Sequence, residues 1–427
     1  MKRYDSYKDS GVEWIGEFPN GWKKSKVKYH FHLISGFPFS SEDITNEERE
    51  YPIIRIGNVT SGKTDVYFEG ELSEKHPLVN YGDYVVSLTG DFSIRKWENK
   101  SSLLNQRCGL IKKFTSDDER FLFYYLPFQF RILEKTKYFT TLKNLSNGEL
   151  LDIEFIVPPL SEQRQIVSFL DTKTSLIDSL IEKTQRKIEL LKEKRTSLIN
   201  EVVTKGLNPN VEMKDSGVEW IGEIPSHWDK TKPKYQFFIS GGGTPSKDNS
   251  EYWDGDIPWV SPKDMKLKYI SKTEDYVTTE GINNSSTKLI LQKSLLMVVR
   301  SGILQHTIPV CFNSVPVTIN QDLKSFEEKG KMSCNYFYYF IKGHEKNLLL
   351  EWSKDGTTVE SIEMDFMINS ELPLPSISEQ KQIVEYLDEQ TQLIDKTISI
   401  EEKRIELLKE YRQSLISEVV TGKRKVV

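Results

Sequence analysis

Two long segments of the chain carry apolar residues at steps of three, four or seven, which is the spacing of a coiled-coil seam. The segments are residues 161–204 and 378–421, and the same apolar residue stands at each matched seam position. The first seam consists of Ile166, Leu170, Ile177, Ile181, Ile188, Leu191, Leu198 and Val202, and the second of Ile383, Leu387, Ile394, Ile398, Ile405, Leu408, Leu415 and Val419. The pattern predicts two helices of about 40 residues, each about 60 Å long at 1.5 Å per residue. We expect Ser161 and Ser378 to be their N-caps.

Each of these helices needs a partner for its apolar seam. A coiled coil between two copies of the chain would provide one. Two matched seams in a single chain can also satisfy each other, and we expect an intramolecular antiparallel pair.

The chain is an internal duplication. Residues 8–29 recur as residues 214–235 with 16 of 22 positions identical, and residues 161–204 recur as residues 378–421 with 27 of 44 identical. The element at residues 214–235 follows the first long helix, whereas its copy stands at the start of the chain. If the two chain ends lie close together, this circular order predicts a pseudo-two-fold layout.

The inserts between the repeated parts, residues 30–137 and 236–353, align only in short islands. One island pairs Ile34-Ser35-Gly36 with Ile239-Ser240-Gly241. Runs rich in β-formers predict strands at 52–56, 84–88, 257–260 and 295–299. Aromatic stretches at 121–130 and 336–340 predict helices whose rings form the core, although a base-stacking platform is the alternative. The expected fold class is therefore α+β, with two globular mixed α/β domains separated by two long helices that form an antiparallel coiled coil.

The composition excludes several classes of protein but does not indicate a binding partner. The 427 residues carry a net charge of −5, so a highly basic nucleic-acid protein is excluded, although a local cationic surface is not. No apolar run reaches the ~18–20 residues of a membrane span, and no secretory signal is visible. Three scattered cysteines do not make a disulfide framework. We expect a cytoplasmic protein.

Motifs for catalysis or cofactor binding are missing. The sequence has no GxxxxGK[ST] phosphate loop, and we interpret the Gly-rich residues 240–245 as a turn rather than a cofactor loop. Residues 208–210 (Asn-Pro-Asn) lack the second proline and the ring of an adenine-methyltransferase tetrad. His30 and His32 have no obvious third metal ligand. Asp254, Asp256 and Lys263 only loosely resemble a nuclease pattern. We therefore predict no catalytic residues and no metal in this chain.

Polar and basic loops in the inserts are the remaining candidates for a function. Lys and Arg can neutralise phosphates, while Arg, Asn and Gln can read base edges. The candidates in the first insert are Lys63, Arg95, Lys96, Lys100 and Arg107, and in the second Lys247, Lys263, Lys266, Lys268, Arg300, Gln305 and His306. Among them we favour Arg95, Arg107, Lys263 and Arg300. The alternative for any one of them is ordinary solvated surface.

Several of these segments resemble one protein family. KDSGVEWIGE at residues 8–17, PPLSEQRQIVSFLD at 158–171, LPSISEQKQIVEYLD at 374–388, GDIPWVSPKDM at 255–265, SGILQHTIPV at 301–310 and INQDL at 319–323 look like those of type I restriction–modification specificity subunits. The resemblance implies five parts: an N-terminal segment (1–22), a first target-recognition domain (23–157), a central region with the first spacer helix (158–228), a second target-recognition domain (229–374) and a C-terminal region with the second spacer helix (375–427).

The resemblance also implies a non-catalytic DNA-binding role. Each target-recognition domain would read one half of a bipartite double-stranded DNA site, while the helices set the spacer and dock two methyltransferase subunits. Those partners would use S-adenosylmethionine, and a restriction or motor subunit, where present, would use ATP and magnesium. A coiled-coil scaffold that binds proteins through two heads is the alternative from the residues alone, and an autonomous nuclease or methyltransferase is a further one.

Overall fold

The computed structural model describes residues 3–12, 15–116, 118–136, 143–353 and 360–426. The chain forms two compact units. The first comprises residues 1–184 and 403–427, and the second residues 185–402. Each unit thus contains one insert together with a part of each long helix.

The first unit begins with a hairpin of short strands and continues into the first insert. Its strands are β1 (Tyr7–Asp9), β2 (Glu17–Pro19), β3 (Lys23–Lys26), β4 (Phe31–Ser35), β5 (Ile44–Thr45), β6 (Ile53–Ile54), β7 (Tyr67–Phe68), β8 (Leu78–Val79), β9 (Tyr84–Ser87), β10 (Ser93–Lys96), β11 (Ser102–Leu104), β12 (Cys108–Lys113) and β13 (Glu154–Val157). Its short helices are α1 (Ile56–Ser61), α2 (Glu119–Thr136) and α3 (Asn147–Leu151). The first long helix is α4 (Leu160–Lys205).

The second unit repeats this succession. Its strands are β14 (Met213–Asp215), β15 (Glu223–Pro225), β16 (Asp229–Thr231), β17 (Phe237–Gly241), β18 (Trp253–Val260), β19 (Tyr269–Ile270), β20 (Asp275–Val277), β21 (Leu295–Val298), β22 (Val310–Asn313), β23 (Thr318–Ile319), β24 (Leu323–Glu328) and β25 (Leu372–Leu374). Its helices are α5 (Pro233–Gln236), α6 (Thr279–Asn283), α7 (Cys334–Trp352) and α8 (Met364–Asn369), followed by the second long helix α9 (Ile377–Val420).

The main sheets of the two inserts have the same strand order. In the first unit the antiparallel order is β10-β9-β12-β4. In the second unit the antiparallel order β22-β21-β24-β17 reproduces it, and β19 adds a parallel edge strand. Two inserts with little sequence in common therefore share one backbone frame, which sequence comparison of 30–137 with 236–353 did not reveal.

The aromatic helices α2 and α7 belong to the cores, as predicted. Phe121 and Tyr125 of α2 lie in the same buried cluster as Val86 and Ile111 of the sheet. In the second unit the rings of α7 pack in the same way against strand residues such as Phe326. Because these rings are buried, they are not a surface on which bases could stack.

The long helices run antiparallel in each unit, as predicted. In the second unit Lys187 pairs with Glu401 at 2.6 Å and Arg195 with Asp395 at 2.9 Å, so residue numbers rise along α4 as they fall along α9. In the first unit Arg412 of α9 pairs with Asp178 of α4 at 2.8 Å. All sixteen predicted seam residues are buried or half-buried. The helices have 46 and 44 residues, somewhat longer than expected.

The predicted N-caps are wrong. Helix α4 begins at Leu160 and α9 at Ile377, so Ser161 and Ser378 already lie inside the first turn. In α9 the cap is Ser376, whose Oγ accepts a hydrogen bond of 3.3 Å from the backbone N–H of Glu379 and donates one of 2.8 Å to its Oε2. Sequence reasoning placed the cap two residues too late and so missed this capping box.

A duplicated glutamine near the start of each long helix holds an aromatic helix in place. Gln163 and Gln380 are both 1 % exposed. The amide oxygen of Gln163 accepts from the N–H of Asp118 at 2.9 Å, next to the start of α2, and that of Gln380 accepts from Ser333 at 2.8 Å, next to the start of α7. Each buried amide thus fixes an aromatic helix to the first turn of a long helix.

The circular order of the repeat has a structural basis in the first unit. Tyr7, near the start of the chain, donates from Oη to the carbonyl of Gly422 at 3.2 Å, just beyond the end of α9. Trp22 shares a buried cluster with Val419 of α9. In the second unit Trp228 shares a cluster with Val202, near the end of α4. The element at 8–29 therefore follows α9 in space as its copy at 214–235 follows α4 in sequence.

Two further expectations need correction. The strand predicted at 52–56 is limited to Ile53–Ile54, because Ile56 already begins helix α1. The island that paired Gly36 with Gly241 is out of register by one residue. A Cβ on Gly36 would lie 2.0 Å from the carbonyl oxygen of Asn105, and Gly242 has the same close approach, 2.0 Å, to that of Ile319.

Candidate nucleic-acid interface

Some predicted DNA-contact residues of the first unit have partners within the fold. Arg95 donates from Nε to the carbonyl of Val59 at 2.6 Å and from Nη2 to that of Thr60. It therefore caps the C-terminal end of α1, where the carbonyls lack helical partners. Lys100 donates to the carbonyl of Arg49 at 3.1 Å. Both cations contribute to local structure.

In the second unit Lys263 and Lys268 are engaged with carboxylates. Lys263 lies 2.8 Å from Glu274 and 3.0 Å from Asp275, and the hydrogen bonds that it donates to these two carboxylates raise its pKa. Lys268 pairs with Asp388 of α9 and lies 4.8 Å from the ring centroid of Tyr339. The positive charge of these side chains is thus balanced before any phosphate approaches.

The contact made by Lys268 belongs to a second duplicated feature. Tyr124 of α2 donates from Oη to Asp171 of α4 at 2.6 Å, and Tyr339 of α7 donates to Asp388 of α9 at 2.5 Å. Each aromatic helix is thereby bonded to a long helix, in its own unit, at equivalent positions. The contacts join residues far apart in sequence, and no local pattern indicated them.

The other candidates are solvent-exposed, and one of them, Arg300, also pairs with a carboxylate. The exposed ones are Lys63, Lys96, Arg107, Lys247, Lys266, Gln305 and His306. Arg300, 54 % exposed at its side chain, pairs with Asp322 at 2.6 Å. Gln305 ends a short 3-10 turn, Gly302–Gln305, between β21 and β22, and His306 is the residue after it. In the first unit Arg107 lines a groove of about 510 Å³ together with Thr89, Gln106 and Asn144.

Arg107 and Asp322 occupy equivalent places in two matching loops. The Oδ1 of Asn105 accepts from the N–H of Arg107 at 3.3 Å, and that of Asn320 accepts from the N–H of Asp322 at 3.0 Å. Each loop also joins the end of a central strand, since Leu88 donates to the carbonyl of Arg107 at 3.0 Å. In the second unit the same bond, from Val299 to Asp322, measures 2.8 Å.

The other wall of this site was missed by sequence reasoning. Thr89 forms a bridge with Asn144, and Arg300 forms the matching bridge with Ser361. The signal was present in the sequence, because Asn144 and Ser361 are separated by the same 217 residues as the two long-helix copies. Residues 140–142 and 357–359, where the two halves of the sequence also match at this spacing, lie outside the described residues.

The residues considered for metal or nuclease chemistry have other partners in the structure. His30 shares a hydrogen bond of 2.7 Å with Ser25, and the ring of His32 stacks on Phe114. Lys263 binds Glu274 and Asp275 rather than Asp254 or Asp256. Within the described ranges, no group of three or more His, Cys, Asp or Glu side chains is arranged to hold a metal ion.

The long helices carry a second apolar stripe that faces solvent. On α4 it contains Leu176 and Leu190, which are 60 % and 49 % exposed. On α9 it contains Leu393, Ile400 and Leu407, seven residues apart and each more than half exposed. Leu176 matches Leu393 in the duplication, and Leu190 matches Leu407. The duplication thus repeats exposed leucines at matched positions of both long helices.

Comparison with known proteins decides the family. A family model described as the type I restriction modification DNA specificity domain matches residues 19–190 and again residues 225–410. The chain belongs to this family of specificity subunits. It is 30% identical over 347 residues to the type I restriction enzyme EcoR124I/EcoR124II specificity subunit of Escherichia coli, covering 77% of this chain and 78% of that protein. It is 23% identical over 405 residues to the EcoBI specificity subunit of Escherichia coli, with 90% and 84% covered.

Solved structures of specificity subunits share the fold. A chain from a study of complex assembly and conformational transition of the type I R-M system superposes with a TM-score of 0.73 at 15% identity, covering 94% of this subunit and 98% of that chain. The HsdS subunit from Thermoanaerobacter tengcongensis gives a TM-score of 0.56 at 15% identity, with 97% and 100% covered. The family match and the curated relatives show a DNA sequence-specificity role for the subunit, and the alternative of a protein-binding scaffold finds no support. Among its described residues, no helix is both long and apolar enough to cross a bilayer.

Proposed function

We propose that the two mixed α/β domains each read one half of a bipartite double-stranded DNA site. The observation that carries this proposal is the shared frame β10-β9-β12-β4 and β22-β21-β24-β17, on which the two inserts present unlike polar side chains. Because the two domains share a backbone frame but expose different side chains, they would bind DNA with the same geometry and recognise different sequences.

The proposal is tested by exchanging one insert. Residues 30–137 are replaced by the corresponding insert of another specificity subunit, and the methylated sequence is mapped. We expect one half of the recognised site to change and the other half to stay as it was. A change in both halves would contradict the modular account.

We further propose that α4 and α9 set the separation of the two half-sites. Each helix contributes residues to both units, since α4 crosses from one to the other at residue 184 and α9 at residue 402. A helix of 46 residues is about 69 Å long at 1.5 Å per residue. At about 3.4 Å per base pair, this length bounds the separation at about 20 base pairs.

The duplicated solvent-facing stripe supports the docking of two methyltransferase subunits. Leu176 and Leu407 belong to the first unit, and Leu190, Leu393 and Ile400 to the second, so each unit carries its own part of the stripe. Two equivalent faces suit two copies of one partner. The catalytic steps belong to the partner subunits. The methyltransferase subunits use S-adenosylmethionine, a restriction or motor subunit uses ATP and magnesium, and this chain does no catalysis.

Docking is tested with the double variant Leu393→Glu/Ile400→Glu in the complete complex. We expect native mass spectrometry to find one methyltransferase subunit per chain instead of two, because charges replace apolar contacts at one face. The control is Leu350→Glu, at an apolar residue of the same unit that is 83 % exposed and lies outside the stripe. Two bound subunits in the double variant would contradict the assignment of the stripe.

A further inference from the structure

The two matching loops create one local frame at the same edge of both sheets. Three features recur: the side-chain turns of Asn105 and Asn320, the hydrogen bonds from Leu88 and Val299 to the loop carbonyls, and the two bridges to Asn144 and Ser361. Leu145 also donates to Leu88, and Ile362 to Val299, at 2.8 Å each. The frame thus fixes two side-chain positions, one at the end of the central strand and one in the loop.

The first unit fills these positions with Thr89 on the strand and Arg107 in the loop. Among the residues that the structure describes, no carboxylate lies within 4.0 Å of the Arg107 guanidinium, and none accepts a hydrogen bond from it. Thr89 donates from Oγ1 to Oδ1 of Asn144 at 3.1 Å, so its hydroxyl is occupied. Arg107 therefore stands at the groove with all of its donors available.

In the second unit the arginine is at the strand position instead of the loop position. Arg300 comes from the strand position and Asp322 from the loop position. Both Nε and Nη2 of Arg300 contact Oδ1 of Asp322, at 2.7 Å and 2.6 Å, while Oδ2 of Asp322 accepts from Nδ2 of Asn320 at 3.0 Å. The carboxylate is held by the loop and holds one edge of the guanidinium, so the Nη1 group and one N–H of Nη2 remain free to bind.

We propose that Arg107 and Arg300 each read a guanine in the half-site bound by their own unit, and that Asp322 positions Arg300 for this contact. The inference rests on the proposed function and adds the reading residue of each half-site. An arginine fork donates two parallel hydrogen bonds to O6 and N7 of guanine, the acceptors that this base presents in the major groove. The two arginines belong to matching frames but occupy different positions in them, Arg107 in the loop and Arg300 at the end of the strand.

The same geometry separates these two arginines from the other favoured candidates. The guanidinium of Arg95 is directed at the carbonyls that end α1. Lys263 is held by two carboxylates and has no fork for bidentate contact. Lys263→Ala is therefore a matched control in the same unit as Arg300.

The test is the methylated sequence produced in cells by the full complex with wild-type subunit or with Arg107→Ala, Arg107→Lys, Arg300→Ala, Asp322→Asn or Lys263→Ala. We expect Arg107→Ala to relax one guanine position in one half-site, with the preference for guanine reduced about 10-fold. Arg107→Lys keeps the charge but loses the fork, so it relaxes the same position. Arg300→Ala relaxes a guanine in the other half-site, Asp322→Asn relaxes that position less, and Lys263→Ala leaves both half-sites unchanged.

Three results would overturn the inference while leaving the proposed function intact. One is an unchanged motif in Arg107→Ala and Arg300→Ala. A second is a uniform loss of methylation at all sites with the motif retained, which indicates phosphate contact. The third is relaxation of both half-sites by one substitution. A wild-type complex that methylates no bipartite motif would instead contradict the proposed function itself. Thermal unfolding of Arg107→Ala should match wild type, because this side chain makes no contact that folding needs.

Discussion

The indole N–H of Trp22 donates a hydrogen bond of 2.9 Å to Oε2 of Glu162 in the first turn of α4. Trp228 makes the same bond, 3.1 Å, to Glu379 in the first turn of α9. The two duplicated motifs are therefore in direct contact, through the tryptophan of one and the glutamate of the other. Each pair joins one copy of the duplicated short element, residues 8–29 or 214–235, to the start of a long helix.

Removal of this bond should destabilise the first unit. In Trp22→Phe the half-buried Glu162 carboxylate loses a donor and the core loses part of a ring, so we expect the free energy of unfolding to fall by about 2 kcal/mol. Equilibrium urea unfolding measures this change. Glu182→Gln, at an exposed position of the same helix, is the control and should change stability little. Equal stability of Trp22→Phe and wild type would show that the bond contributes nothing.

His344 should make the stability of the second unit depend on pH. Its ring is 3 % exposed and lies between Asn200, 2.8 Å from Nδ1, and Thr204, 3.0 Å from Nε2. Desolvation by burial lowers the pKa of His344 from 6.5 to about 4. Between these values the unfolded chain binds a proton that the folded chain does not, so stability falls as the pH drops from 6.5 toward 4.

The pH dependence is measured by urea unfolding at several pH values between 4 and 7. His344→Gln should flatten the profile, by up to about 3 kcal/mol over this range. His306→Gln, at an exposed position of the same unit, should leave the profile as it is in wild type. If His344→Gln and wild type lose stability in parallel, His344 is not the responsible group.

A methyl group at Gly242 should disrupt the loop that carries Asn320 and Asp322, because the glycine packs directly against its backbone. A Cβ there would lie 2.0 Å from the carbonyl oxygen of Ile319 and 2.2 Å from that of Asn320, and backbone atoms cannot move away cheaply. We expect Gly242→Ala to lower the unfolding free energy by about 3 kcal/mol. Gly302→Ala, where no atom lies within 4 Å of the new methyl, is the control. Near-equal urea midpoints for the two variants would refute the close packing.

Lengthening the long helices should lengthen the gap in the recognised sequence. Four residues, about one helical turn, are inserted into both α4 and α9 at matched positions near residues 184 and 402. We expect about 6 Å of added helix to increase the gap by one or two base pairs, roughly, at 3.4 Å each. The methylated motif of the variant shows the new gap directly. An active complex with the original gap would refute the ruler.

Sequence alone predicted what repeats and periodicity encode. The two long helices and their antiparallel pairing could be predicted, because the apolar face of a helix shows directly in the spacing of its apolar residues. The strand order of the inserts could not be predicted, because residues 30–137 and 236–353 share a frame held by backbone bonds rather than by common side chains. The N-caps were missed by two residues, since Ser376 and Ser378 both precede an apolar run and only the bond to Glu379 distinguishes them.

The candidate site shows the same limit. Arg95 and Arg107 stand in similar polar surroundings in the sequence, yet one caps α1 and the other faces a groove. Which carbonyl an arginine meets depends on contacts between distant elements, such as that of Arg95 with Val59. Likewise, the pairing of Arg300 with Asp322 required the loop to return to the end of β21.

The most direct test of the account is a genome-wide map of N6-methyladenine in the host, with and without this gene. We expect the loss of one motif made of two short half-sites around a fixed gap, and that motif would also supply both half-site sequences. An unchanged methylation map in the deleted strain, where the gene is shown to be expressed in the parent, would contradict a role in DNA sequence specificity.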